Sequence, residues 1–111
     1  MATSTSASQL YGAVAQLAFA ESKLAVTPLL PFIPADAPHL LTQSNTIIGQ
    51  GVAIHGRDPA TMVQSAVDDA ILHVQAAQKM IDIVNTSPGT TLSGVTIFST
   101  VDSAITSVGA V

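Results

Sequence analysis

The chain has 111 residues, of which 48% are hydrophobic and 9% charged, with a formal net charge of -4 and no cysteine. That length suits one domain spanning residues 1–111, and three Lys and Arg side chains against seven Asp and Glu are too few to neutralise a phosphate backbone, which excludes nucleic acid as the partner. The lack of cysteine excludes a disulfide framework, a thiolate zinc site, an iron–sulfur cluster and a cysteine nucleophile.

Residues 2–8 are rich in Ser and Thr and read as a short polar tail. Over residues 9–26, Leu10, Val14, Leu17 and Leu24 fall on one helical stripe with Tyr11, Ala18 and Ala25 beside it, while Phe19 and Val26 lie on the far side. A helix apolar on two faces has two neighbours, within the domain or across a subunit boundary. Pro28, Pro31 and Pro34 forbid its continuation, since proline lacks the amide donor and clashes with the preceding turn.

Asp36-Ala37-Pro38 has the form of an N-cap with proline in the first turn. It opens a second helix through Ile48 that is expected to falter at Gly49 and Gly51, with Leu40, Leu41, Ile47, Ile48 and Val52 aligned. Gly56-Arg57-Asp58-Pro59 repeats the logic, with Asp58 as cap and Pro59 at the first helical position. The helix that follows, residues 59–86, places Met62, Ala66, His73, Ala77, Met80 and Val84 in one arc, continued by Val63, Ala70, Val74 and Ile81. Gln64, Asp68, Gln75, Lys79 and Asp82 gather opposite.

Ser87-Pro88-Gly89 makes a turn. Residues 92–101 carry the Val, Ile, Thr and Phe of a strand, yet Ile97, Phe98, Val101, Ile105 and Val108 form a helical stripe. Helix is the better reading, because a lone strand would need a partner from another copy. The expected fold is therefore all-α: three to four amphipathic helices arranged as αα-hairpins, joined at the Pro-rich connection and at the Gly-Arg-Asp-Pro turn, with a β segment at residues 92–108 as the alternative.

Residues 1–20 hold no charge, so the basic start of a secretory signal is missing and a cytoplasmic location is expected. The uncharged stretches 37–56 and 83–101 contain His39, Gln43, Asn45 and Gln50 in one and Asn85 and Pro88 in the other, too polar for a bilayer span. Membrane contact at a surface stays compatible with the amphipathic helices; an integral protein does not.

No catalytic residue, cofactor or metal site is expected. Asp69 and His73 stand at i and i+4, a spacing that a helix-stabilising pair worth a few tenths of a kcal/mol explains. His73 also falls on the apolar arc, where its protonation would couple to packing. Glu21 interrupts the Leu10/Val14/Leu17/Leu24 stripe, where an unpaired carboxylate is costly to bury; it either snorkels, pairs with a lysine, or acts as a proton-sensitive wedge. The Ser and Thr residues lack the Gly-x-Ser-x-Gly elbow of a nucleophile. Gly49-Gln50-Gly51 is too short for a phosphate loop.

What remains is self-association. An ordinary soluble chain carries about 25% charged residues, and here neutral Ser, Thr, Gln and Asn have replaced them on the polar faces, so like surfaces repel weakly. A subunit that polymerises with copies of itself through apolar helix faces is the expected function, with Phe19, Val26, Phe32 and Ile33 as the contact residues. A small module that coats a lipid or granule surface is the alternative, although its helices would ordinarily carry Lys and Arg on the polar face.

Gly56-Arg57-Asp58-Pro59-Ala60, the Ala/Gln-rich Val74-Gln75-Ala76-Ala77-Gln78, Gly94-Val95 ahead of Phe98-Ser99, and Asp102-Ser103-Ala104 together resemble the RebB-like family of bacterial R-body (refractile body, killing-trait) proteins. The resemblance covers about half of the chain and has no counterpart for the first helix or for Pro28, Pro31 and Pro34. It implies a small helical cytoplasmic protein that assembles, with copies of itself or with related small helical subunits, into coiled ribbons, some of which respond to acidification. Glu21, Asp69 and His73 are the candidate pH-sensitive residues; that role is read from their positions, not from the family.

Overall fold

The computed structural model describes residues 2–24, 37–86 and 94–111, with the side chains of 7–24, 39–86 and 96–111. These residues form helices α1 (Ala2–Leu24), α2 (Ala37–Gly56), α3 (Gln64–Thr86) and α4 (Gly94–Gly109), with a 3-10 turn at Pro59–Thr61. No strand occurs among the described residues.

The buried residues recur in steps of three and four. Leu10, Val14, Leu17, Glu21 and Leu24 line α1, and Val67, Ala70, Val74, Ala77, Ile81 and Val84 line α3. Ile97, Val101, Ala104 and Val108 do the same in α4. A mean spacing of 3.5 residues keeps a narrow seam facing a partner helix along its whole length, the condition for knobs-into-holes packing in a bundle. Burying each Leu, Ile or Val contributes about 1.5–3 kcal/mol.

Helix α1 packs on α2 and α3, and α4 packs on α3 and α2; α1/α4 and α2/α3 lie across the two diagonals. The Tyr11 ring lies 4.5 Å from that of His55 and Gly51 lies against Val14, so α1 and α2 run antiparallel. Gln43 bonds to Phe98 and Gln50 to Ile105, which sets α2 and α4 parallel. The sequential helices α2 and α3 are therefore not a packed hairpin, contrary to the expected arrangement. The chain crosses the bundle end between them, through the Asp58 turn.

That turn starts as its sequence indicates: Asp58 Oδ1 accepts from the Ala60 amide at 3.0 Å. Only one 3-10 turn follows, however, because Met62 returns to extended backbone at φ -87° and ψ 138°, and α3 begins at Gln64 rather than Pro59. Three further expectations are corrected. The Ser/Thr-rich start is helical from Ala2, with Ala7 buried against the core. Helix α2 runs through both glycines to Gly56, and Leu41, Ile48 and Val52 are exposed rather than aligned inside. Residues 94–109 are helical, so the strand alternative fails there. The expected Asp36 cap, the Pro28/Pro31/Pro34 connection and the Ser87-Pro88-Gly89 turn lie outside the described residues.

Gly51 shows why α2 does not break. A Cβ at this position would meet Val14 Cγ1 at 3.0 Å, whereas at Gly49 nothing lies within 4 Å. The first glycine lets α1 and α2 approach closely, and the second only weakens the helix. Gly49→Ala should therefore stabilise the protein by about 1 kcal/mol, and Gly51→Leu should destabilise it by roughly 1–3 kcal/mol, both read from urea unfolding. Equal effects at the two positions would contradict the close approach.

Candidate functional site

One layer of the core is polar. Glu21 of α1 is 0% exposed, and on α2 Gln43 and Ser44 are buried at 3% and 7%. The antiparallel register that pairs Val14 with Gly51 carries Glu21, two turns further along α1, to the level of Ser44. Gln43 Nε2 donates to Asp102 Oδ1 at 2.6 Å and to the Phe98 carbonyl at 3.3 Å on α4. Both Glu21 carboxylate oxygens, Gln43 Oε1 and Ser44 Oγ are buried without a hydrogen-bond partner.

Burial pushes the Glu21 carboxyl up from its ordinary 4.5 to about 8, with the negative charge of Asp102 adding to the shift and Ser44 opposing it. The Ser44 hydroxyl is near enough to favour the charged form, although it completes no hydrogen bond of ordinary geometry. Of the three fates open to Glu21, snorkelling and a hydrogen-bonded pairing with lysine do not occur among the described residues. Lys23 instead lies over the Phe19 ring, 4.5 Å from its centroid.

On the outside of the same helix pair is a groove of about 320 Å³. Ala15, Ala18 and Gly51 leave it room, and Phe19, Ile48 and Val52 stand along it, with no charged residue in its lining. Phe19 is 63% exposed, where the stripe places it. Val26, Phe32 and Ile33, the other expected contact residues, lie outside the described residues.

The Asp69/His73 expectation is corrected. Both residues are exposed on α3, because the core seam follows Val67, Ala70, Val74 and Ala77 and leaves His73 on its flank. His73 Nδ1 lies 2.7 Å from Ser107 Oγ of α4, rather than bonding to Asp69. The two line an open cleft of about 680 Å³ with Phe98, Asp102 and further hydroxyls. A Ser–His contact alone makes no nucleophile: Ser107 lies in the last turn of α4, where backbone amides are already bonded within the helix and cannot supply an oxyanion hole. Among the described residues no group of His and carboxylates could hold a metal ion, and no helix is long and apolar enough to cross a membrane.

Sequence reasoning found Glu21 but missed Gln43, which it read only as a polar interruption of a candidate span, and Ser44, which it did not read as a core residue. The signal for Gln43 was its seven-residue spacing from Gln50 on α2, both of which reach α4.

Glu21 gives stability a definite pH dependence. The folded state holds this proton up to about pH 8 and the unfolded chain only to about pH 4.5. The contribution is complete below the lower value and is lost as pH rises through the window, at up to about 1.4 kcal/mol per pH unit. Glu21→Gln should abolish that decline and be the more stable protein at alkaline pH. Parallel melting-temperature profiles for the two proteins between pH 5 and 8.5 would contradict the burial of this carboxyl. Comparison with family models, curated proteins and solved structures finds no match for this chain.

Proposed function

We propose that the protein is a structural subunit that assembles with copies of itself in the cytoplasm, and that it performs no reaction. The observation that carries this reading is the uncharged apolar groove along α1 and α2, with Phe19, Ile48 and Val52 standing exposed beside it. A projecting ring next to a groove lined by small residues is self-complementary. In a two-fold pairing, Phe19 of each copy fills the groove of the other, and a second such surface turns pairs into a polymer. The low charge of the chain removes the repulsion that would oppose this contact.

The resemblance to R-body proteins specifies the reading further, as a ribbon-forming and pH-responsive subunit. Glu21 is the buried titratable residue that would couple protonation to packing, whereas Asp69 and His73 stand exposed on α3. Related small helical subunits would join through the same groove.

Sedimentation velocity and negative-stain microscopy test the proposal. Particles of the parent protein should grow with concentration in plain buffer. Phe19→Ser and Ile48→Ser should each lower the assembled fraction several-fold with an unchanged helical circular dichroism spectrum. A parent that stays monomeric at high concentration and sediments only with liposomes would replace self-assembly by the surface-coat alternative.

A further inference from the structure

Helix α1 has two flanks. On one side of its Leu10/Leu17 seam, Tyr11, Ala15 and Ser22 border the apolar groove shared with α2. On the other side, Gln9, Gly12 and Gln16 border a second hollow of about 370 Å³, completed by Ile71, Gln75 and Gln78 of α3. Asn85 near the end of α3 bonds to Ala20 near the end of α1, while Gln9 and Gln16 lie level with Ile71 and Gln78. The two helices therefore run parallel, and the hollow lies in the cleft between them.

This hollow is neutral and rimmed by amides. Four glutamines stand around it, no charged residue lines it, and none of the four bonds to another described residue. Gly12 keeps it open, since a Cβ there would meet nothing within 4 Å. A carboxamide offers two donors and an acceptor at once, so a surface of such groups matches a copy of itself, which a patch of one charge sign cannot do. An ionised ligand finds no counter-charge in the lining, and no aromatic ring is present on which a base could stack. What fits is a second set of amides, with Ala13 and Ile71 as the apolar floor.

We propose that the α1/α3 hollow is a second contact between copies of this chain, made by reciprocal amide hydrogen bonds of Gln9, Gln16, Gln75 and Gln78. The inference rests on the self-assembly reading and adds the face that extends it, because the apolar groove alone closes a pair. Two different self-complementary faces on opposite flanks of one helix join copies alternately, and the row continues unless it closes into a ring. Hydrogen bonds that replace bonds to water contribute less than buried apolar surface. Pairs therefore form first, through the groove, and rows form from pairs at higher concentration.

Sedimentation velocity of the full chain over a concentration series tests this. The parent should pass from monomer through dimer to larger species. The double variant Gln16→Glu, Gln75→Glu keeps side-chain shape and helix propensity but sets like charges against each other across the contact. It should stop at the dimer at low salt and regain growth at high salt, where the repulsion is screened. Gly12→Gln, which fills the hollow without adding charge, should also stop at the dimer, whereas Phe19→Ser should weaken the first pairing. A parent that itself stops at the dimer overturns the amide contact and leaves the groove pairing in place. Growth of both hollow variants beyond the dimer at low salt does the same, and makes the hollow a place for a small neutral polar molecule instead. A parent that stays monomeric throughout overturns both contacts.

Discussion

The seam of residues spaced three and four apart governs everything else in this molecule. Each helix of the bundle offers only a narrow apolar stripe, as in Val67, Ala70, Val74, Ala77, Ile81 and Val84 of α3, and two neighbours must share it. Side chains just beside the seam are therefore left at the surface even when they are apolar. Leu41, Ile48 and Val52 stand one residue or so away from Leu40, Ile47 and Gly51 on α2, and they are exposed. The geometry that closes the core thus also creates the outer apolar face.

Two kinds of contact divide the work of holding the bundle. The α1/α2 pair is close and mostly apolar, with Gly51 against Val14. The α2/α4 pair is bridged by amides, with Gln43 reaching Phe98 and Asp102 and Gln50 reaching Ile105 at 2.9 Å. Apolar packing supplies most of the stabilisation and tolerates sliding, whereas a hydrogen bond to a particular carbonyl fixes axial position. Asn85 of α3, bonded to the Ala20 carbonyl of α1 at 3.4 Å, places a further pair in the same way. Arg57, one of three basic residues in the chain, donates to the Val111 backbone oxygen and ties the crossover to the end of α4.

Glu21 works against this packing. Leucine at its position would continue the seam, and a carboxyl there lowers stability wherever it must ionise. Its presence in a chain with only seven acidic residues makes the polar layer the most distinctive chemical feature of the core. The outer groove and the inner layer share helices α1 and α2, so any event that alters their spacing at Glu21 and Ser44 reaches Phe19 and Ile48 on the other side.

The sequence by itself determined the helical class, the three-and-four periodicity that buries Leu10, Val14, Leu17 and Leu24, the Asp58 cap and the outward position of Phe19. All of these follow from local rules: residue spacing, side-chain acceptors near free amides, and the angle per residue of a helix. Only the tertiary structure decided that α2 passes through Gly49 and Gly51, that His73 faces Ser107 instead of the core, and that Glu21 meets Ser44 while Gln43 reaches Asp102. The physical reason is common to the three. Each outcome depends on what a second helix presents at that level, such as Val14 against Gly51 or Asp102 against Gln43. The choice of neighbours across a bundle, with α2 and α3 on a diagonal, is a long-range matter that periodicity along one helix does not encode.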